Sequence, residues 1–198
     1  MRFLLSTAGA EGKVLRCSYQ GSPVAVKVTL LDGYSLTPIR QQLLDAQAEA
    51  ILLSELAHPH ILRFFGLAIA YPTDVDIEVY TVLELCTQSA EDWLITKNRK
   101  KKKSKSDPTL DGGKISHIEK LTFCTSVASG MAFLHSRNIA HRDLKLSNVL
   151  LGAMDDPSTA KIADFGLSKT GLAIQDVMER TANVGTPVYM AVSAIKLD

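Results

Sequence analysis

The residues best suited to chemistry lie in one segment of eight residues, 141–148, with the sequence HRDLKLSN. It combines an imidazole, a carboxylate, an amide and two cations. Asp164-Phe165-Gly166 follows sixteen residues after Asn148, behind the strand-like segment 160–163. Carboxylate and amide oxygens are hard ligands that suit Mg²⁺, and Asp143 could orient a hydroxyl nucleophile. Each residue alone would be interpreted as part of a solvated loop, but the set in this order favours phosphoryl transfer.

The two motifs together resemble the catalytic loop and the metal-binding loop of protein kinases. The resemblance covers nearly all of the chain and implies that Asp143 orients the substrate hydroxyl. It also implies that Asn148 and Asp164 hold Mg²⁺ and that Lys145 contacts the transferring phosphate. Lys145 at this place implies specificity for serine and threonine. Arg142 implies control by phosphorylation, because a guanidinium can clamp a phosphate with two hydrogen bonds.

Residues 7–14 resemble the glycine-rich phosphate loop of the same family, with Thr7 in place of the first glycine. The matching positions are Gly9, Gly12 and Val14. Taken alone, this partial match is weak and favours a plain hairpin. A β-branched run follows at 24–28, interrupted by Lys27. The resemblance implies that Lys27 contacts the ATP phosphates, and the alternative is an edge-strand lysine that faces solvent.

A helix is predicted from Thr37 and Pro38 to about Leu56, since proline suits the first helical position. Its expected apolar stripe consists of Leu44, Ala48, Ile51, Leu52 and Leu56. Glu49 stands nine residues before the turn His58-Pro59-His60-Ile61, which resembles the turn after this helix in kinases. That spacing implies that Glu49 pairs with Lys27. A solvated helical glutamate is the alternative.

Residues 77–85 alternate as a strand and lead to Glu84-Leu85-Cys86. By resemblance this is the hinge, where backbone groups of Glu84 and Cys86 would bind the adenine edge and Leu83 would be the gatekeeper. Three aliphatic residues would enclose the base in an apolar slot. They are Val14, Ala25 and Leu150.

The charge of the chain is unevenly distributed. The net charge is +1, but residues 97–105 (KNRKKKKSK) hold seven of the 22 basic residues and no acid, so fifteen basic residues face 21 acidic ones elsewhere. We expect the insert 97–114 to be disordered, because like charges repel and nothing in it can bury apolar area. A nuclear-localisation or nucleic-acid patch is the alternative, although we expect no nucleic-acid partner.

The three cysteines, Cys17, Cys86 and Cys124, are widely spaced and form no CxxC pair. They indicate neither a disulfide framework nor a zinc site, so reduced thiols are expected. No stretch approaches the length of a membrane span, and we expect no membrane partner. The predicted localisation is cytoplasmic, with a nuclear location allowed by the basic run.

A second helix is predicted after Ser116, because Ser116 and Glu119 match the capping-box pattern. One face would carry Ile118, Leu121, Thr125, Ala128, Met131 and Ala132. The helix delivers the chain to His141, which is expected to pack as a core histidine. Its role in kinases implies an apolar stack with Leu53, Phe64 and Phe165.

Residues 164–193 resemble a kinase activation segment. Thr181 is the first candidate phosphate acceptor and Thr170 the second. The match of 185–191 (GTPVYMA) implies that Thr186 belongs to the substrate-binding turn. The match fails at Val192-Ser193, and the chain ends at Asp198. This predicts a C-terminally truncated copy of the domain.

Taken together, the sequence predicts an α+β, two-lobe protein-kinase-like fold. Residues 1–86 would form a β-rich N-lobe with the hinge, and 87–198 an incomplete, mainly helical C-lobe. The motifs resemble serine/threonine kinases of the tyrosine-kinase-like group, which implies transfer of the ATP γ-phosphate to protein hydroxyls with Mg²⁺. The alternative is a catalytically silent nucleotide-binding or regulatory fragment. Missing helices would expose Met131, Leu134, Val149 and Leu151, and a partner chain could cover them.

Overall fold

A computed structural model describes residues 2–9, 12–31, 36–72, 76–106, 115–164 and 169–170. For 2–9, 12, 36–38, 100–106 and 169–170 only the backbone is described. The described residues form two compact units. The N-terminal unit comprises those of 1–57 and 62–85, and the C-terminal unit those of 58–61 and 86–198. The predicted α+β class is confirmed.

The N-terminal unit is built on a five-stranded antiparallel sheet. Its strands are β1 (Arg2–Gly9), β2 (Gly12–Tyr19), β3 (Ser22–Leu31), β4 (Phe64–Ala70) and β5 (Ile77–Glu84). Their order in the sheet is β1-β2-β3-β5-β4. Gln20 and Gly21 join β2 to β3 with φ values of 50° and 81°, as a two-residue hairpin with the right-handed twist of its strands requires. The strand predicted at 77–85 is confirmed.

Alternation along these strands creates the core of the unit. Leu15 and Cys17 of β2 lie opposite Val26 and Val24 of β3, and all four are buried. Because successive strand residues point to opposite faces, the residues between them lie on the other face of the sheet.

Helix α1 (Leu36–Ser54) contacts β4. It begins two residues before Pro38. The predicted apolar stripe is wrong at Leu44 and Ile51, which are 50% and 57% exposed, and is confirmed at Leu56, which is buried. Ile39 and Leu53, which lie outside the predicted stripe, are also buried. The helix carries apolar residues on more than one side, including a run of three at 51–53, so periodicity alone could not select the face that packs on the sheet.

The C-terminal unit combines two helices with short strands. The helices are α2 (Ala90–Ser106) and α3 (His117–Ser136), and the strands are β6 (Gln88–Ser89), β7 (Ile139–Ala140), β8 (Val149–Leu151), β9 (Ala160–Ile162) and β10 (Lys169–Thr170). Strands β6, β8 and β9 form one sheet, and β10 pairs with β7. The core contains Ala90, Trp93, Val149, Leu151 and Ala160. No helix in the described ranges has both the length and the apolarity needed to cross a membrane.

The disorder predicted from residue 97 onward is wrong for residues 97–106, which continue α2. Ser89 Oγ accepts a hydrogen bond from Asp92 N at 3.0 Å and so caps the helix. Glu91 and Asp92 lie in the first turn, where their negative charges interact favourably with the positive end of the helix dipole. Lysine and arginine are themselves good helix formers. The remainder of the predicted insert, 107–114, lies outside the described residues.

Helix α3 confirms the predicted capping box, because Ser116 Oγ accepts from Glu119 N at 3.1 Å and Glu119 Oε2 accepts from Ser116 N at 2.7 Å. The face predicted to carry the apolar residues is not the face that is buried. Ile118 and Leu121 are 76% and 55% exposed, and the buried residues of α3 are Ser126, Gly130 and Leu134.

A close contact explains which face of α3 is buried. A Cβ on Gly130 would lie 2.7 Å from His60 O and 2.9 Å from Ile162 Cδ1, so segment 58–61 and β9 pack directly on α3. The expectation that Leu134, Val149 and Leu151 face water is therefore wrong, since all three are buried. Met131 is half-buried.

Candidate active site

The loop 141–148 is held in place by His141, which is 2% exposed. Its Nε2 lies 2.9 Å from Ala163 O, and its Nδ1 lies 3.3 Å from Asp143 N. Because Nδ1 accepts from that backbone N–H, the ring proton belongs on Nε2, which donates to Ala163 O. Burial lowers the pKa of His141, which keeps the ring neutral. The predicted core histidine is confirmed, and its stack with Phe165 lies outside the described residues.

The carboxylate of Asp143 is oriented by two neighbours. Lys145 Nζ lies 2.7 Å from Asp143 Oδ2, and Asn148 Nδ2 donates to the same oxygen at 3.0 Å and to Asp143 O at 2.9 Å. Both donors fall on Oδ2, so they fix the plane of the carboxylate. The structure thus brings three of the predicted site residues together.

The β8–β9 pair brings the two candidate metal ligands to one end of a short ladder. Val149 lies opposite Ile162, and Ala163 N donates to Asn148 O at 2.8 Å. Asp164 follows directly, in the left-handed region with φ of 65°. Sparsely populated backbone conformations of this kind concentrate at functional sites.

The chemistry of these two residues fits Mg²⁺. Because the amide nitrogen of Asn148 is engaged by Asp143, its amide oxygen is the atom suited to ligation. Mg²⁺ in phosphoryl-transfer sites takes one or two protein oxygens and completes its shell with water and phosphate. Within the described ranges no three His, Cys, Asp or Glu side chains cluster as a metal site, and such a cluster is not required for this use of Mg²⁺.

Arg142 lies beside the aspartate with φ of 68°. Its Nη2 is buried and has no hydrogen-bond partner among the described residues. A buried guanidinium nitrogen without an acceptor is costly, so this atom suits an anion, in line with the predicted phosphate clamp. Thr181 and Thr186 lie outside the described residues. Thr170 is described by its backbone alone and pairs with Ile139.

The nucleotide candidates of the N-terminal unit share one face of its sheet. Val14 lies opposite Lys27 in the β2–β3 pair, and Ala25 is two residues before Lys27, so all three point away from the buried cluster. Gly9 and Gly12 face each other where β1 turns into β2. Glu49 is half-buried on α1, and its pairing with Lys27 stays a prediction.

At the predicted hinge, one backbone group already has a partner. Glu84 N donates to Arg63 O at 2.8 Å, so this N–H is already engaged within the N-terminal unit. Cys86 begins the C-terminal unit. Leu150 is half-buried between the buried Val149 and Leu151, which places it on the face of β8 opposite the core.

Sequence reasoning missed the groups that hold these residues in place. Ala163 O, Arg63 O and His60 O, which accepts from Ile162 N at 2.9 Å, are backbone acceptors. Any residue type supplies such a group. Gly130 did carry a signal, because a glycine inside a predicted helix often marks a close approach.

Comparison with known proteins identifies the family. A family model described as protein tyrosine and serine/threonine kinase matches residues 6–197. The chain belongs to this kinase family. The predicted resemblance to a protein kinase domain is confirmed.

Curated relatives support a serine/threonine kinase domain. The chain is 30% identical over 191 residues to serine/threonine-protein kinase CTR1 of Arabidopsis thaliana, covering 96% of this chain and 20% of the relative. It is 31% identical over 193 residues to serine/threonine-protein kinase VIK of the same plant, covering 95% and 39%. It is 36% identical over 164 residues to U-box domain-containing protein 34, also from Arabidopsis, covering 81% and 17%. The chain thus spans well under half the length of these relatives.

Proposed function

We propose that this kinase domain transfers the γ-phosphate of ATP to serine and threonine hydroxyls of proteins. The observation that carries the proposal is the contact set of Asp143. Its carboxylate is oriented by Lys145 and Asn148 through Oδ2, and Asn148 adjoins Asp164 through the β8–β9 ladder. An oriented base, a cation and two oxygen ligands are the parts that phosphoryl transfer requires.

In the proposed reaction Asp143 accepts the hydrogen bond of the substrate hydroxyl and holds its oxygen in line with the phosphate. Lys145, 2.7 Å from Asp143 Oδ2, is close enough to contact the transferred phosphate and offset its charge. His141 keeps the loop and the segment before Asp164 in register through Ala163 O. These contacts restrict the reacting groups before substrate binds, which lowers the entropic part of the barrier.

Asn148 and Asp164 would hold Mg²⁺, which supplies neutralisation of phosphate charge when bound. Lys27 and Glu49 would orient the ATP phosphates. Val14, Ala25 and Leu150 would contact the base, and the carbonyl of Glu84 and the backbone of Cys86 would bind its polar edge. Arg142 would bind a phosphate on the activation segment, with Thr181 as the first candidate acceptor.

Phosphotransfer from γ-labelled ATP to peptides with serine, threonine or tyrosine acceptors tests the proposal. We expect labelled phosphoserine and phosphothreonine, and a loss of at least about 1,000-fold for Asp143→Asn, because the amide cannot accept the proton. Nucleotide affinity should stay within about threefold, since other groups bind ATP. Asp45→Asn is the matched control, because it removes the same charge from the exposed face of α1.

Two results would contradict the proposal. Unchanged transfer by Asp143→Asn would remove the assigned base. Nucleotide binding without transfer by the unsubstituted chain would favour the silent nucleotide-binding module. Products that are mainly phosphotyrosine would contradict the specificity alone.

A further inference from the structure

The second half of α2 is a feature that phosphoryl transfer does not use. We call residues 97–106 (KNRKKKKSKS) the basic arm. It holds seven cations and contains no acidic and no apolar residue. As a disordered loop it would be only a solvating segment, but its backbone is helical as far as Ser106.

The arm continues from a firmly anchored helix. Trp93 is 2% exposed and Ala90 is fully buried, both in the core of the C-terminal unit. Lys97 Nζ pairs with Glu119 Oε1 of α3 at 3.2 Å. Asn98 and Arg99 are exposed. The first three turns of α2 therefore hold the axis of the helix, and the arm extends it.

The basic residues of the arm occupy backbone positions all around the helix axis. Successive residues advance by about 100° around the axis, so the four consecutive positions 100–103 already cover a full turn. A helix that inserts into a membrane interface needs an apolar face, and the arm has none. The same absence excludes binding in a hydrophobic groove of a partner protein.

The linear charge density points to one class of partner. From Lys97 to Lys105 the axis rises by about 12 Å, which gives one positive charge per about 1.7 Å. Duplex DNA carries one negative charge per about 1.7 Å of its axis. The major groove of B-form DNA is about 12 Å wide and admits an α-helix of about 10–12 Å diameter.

We propose that the basic arm docks as a helix into the major groove of double-stranded DNA, through its phosphates and without sequence preference. The deep, narrow major groove of A-form RNA does not accept such a helix. The excess of acidic over basic residues in the rest of the chain confines binding to the arm, since those residues repel DNA. The earlier expectation of no nucleic-acid partner rested on a disordered insert.

Fluorescence anisotropy of a labelled 20-base-pair DNA duplex, titrated with the whole chain, tests the proposal. We expect binding that weakens with salt, with a slope of log K against log salt of about −4 to −6 for five to six phosphates. Duplex RNA of the same length, phosphatidylserine vesicles and a polyglutamate peptide are the comparison arms. Each should bind at least about fivefold more weakly than the DNA.

Two variant sets separate the arm from general charge. Lys101→Gln, Lys102→Gln and Lys103→Gln together should raise Kd by at least about tenfold at 100 mM salt and reduce the salt slope by about two to three units. The matched control removes three exposed cations elsewhere, by Arg16→Gln, Arg40→Gln and Lys120→Gln. It should change Kd by less than about twofold. Circular dichroism checks that both sets fold.

Lys101→Pro tests whether the helix itself matters, because proline breaks a helix interior. It should weaken DNA binding at least about threefold more than Lys101→Gln does. The proposal is overturned by absence of DNA binding at 50 mM salt, by equal losses in the two triple variants, or by equal Kd for Lys101→Pro and Lys101→Gln. Tighter binding to RNA, vesicles or polyglutamate than to DNA would also overturn it.

Discussion

Loop 141–148 and strand β3 present their candidate residues in two different ways. In the loop, side chains hold one another, since Asn148 and Lys145 both reach Asp143 Oδ2. In β3, the backbone ladder to β2 and β5 places Lys27, and the buried cluster lies on the opposite face. A substitution in the loop should therefore damage structure and activity together, whereas one on the half-buried face of the sheet should damage activity alone.

Asn148→Ala is expected to damage activity and stability together. The substitution removes two hydrogen bonds from Asp143 inside a buried site and one proposed ligand. We expect phosphotransfer to fall at least about 100-fold and the free energy of unfolding to fall by roughly 1–3 kcal/mol. Kinetics and urea denaturation measure the two losses. Asn98→Ala on exposed α2 is the control, and a loss of activity at full stability would break the comparison.

Lys27→Met should lower phosphotransfer by about 100-fold, because the phosphates lose a positive charge. The free energy of unfolding should change by less than about 1 kcal/mol, since methionine keeps the aliphatic stem on a half-buried sheet face. Activity and urea denaturation are again the readouts. A loss of stability similar to that of Asn148→Ala would show that Lys27 holds the N-terminal unit together.

The same contrast explains how far the sequence could predict the site. Asp143, Lys145 and Asn148 were predictable because all three lie within one segment of eight residues. The residues that contact one another therefore appear in the sequence as one continuous motif. The strands were predictable because their side chains alternate with a period of two, which places one set on the buried face of the sheet and the other set on the opposite face. The buried faces of α1 and α3 were not, because both helices carry apolar residues on several sides and packing partners distant in sequence made the selection.

The prediction that the basic arm is disordered failed for a different reason. The composition of the arm showed only the repulsion among its lysines. The contacts that anchor the helix lie outside the run or at its edge, and they are the cap at Ser89, the buried Trp93 and the Lys97–Glu119 pair. A helix that is nucleated and anchored at one end can propagate through residues that would not start one.

Gly130→Ala should destabilise the C-terminal unit by about 1–3 kcal/mol, because the added methyl would meet His60 O at 2.7 Å. Gly66→Ala in β4 is the matched control, since a Cβ there meets nothing within 4 Å. The melting temperature should fall by about 2–4 °C per kcal/mol for Gly130→Ala. Equal melting temperatures for the two variants would show that segment 58–61 can shift to accommodate the methyl group without loss of stability.

The smallest expected effect is a difference in pH dependence between the units. Burial lowers the pKa of His141 and of His58, both in the C-terminal unit. A hydrogen bond to Glu78 raises the pKa of Tyr80, and burial raises that of the Cys17 thiol, both in the N-terminal unit. Folding therefore opposes protonation in one unit and deprotonation in the other.

The direction of each effect follows from linkage. A histidine with a lowered pKa binds fewer protons when folded, so its stabilisation is complete above about pH 6.5 and is lost as pH falls through the folded pKa. A thiol or phenol with a raised pKa is the reverse case. Its stabilisation is complete below the unfolded pKa and is lost as pH rises, from about pH 8.5 for Cys17 and about pH 10 for Tyr80.

Each unit carries its own reporter for this test. Trp93 is the only tryptophan of the chain and is buried in the C-terminal unit, so its fluorescence in urea should show a midpoint that falls between pH 7 and pH 5.

Cys17 is fully buried in the N-terminal unit, so in a Cys86→Ser, Cys124→Ser background thiol labelling reports that unit. In urea, the protection of Cys17 from labelling should stay constant across the acid range and fall above about pH 9. The fall should exceed the faster labelling that thiolate formation alone causes, which an unfolded Cys17 peptide measures. Parallel loss of both signals in acid would show that the two units unfold as one and would end the contrast between them.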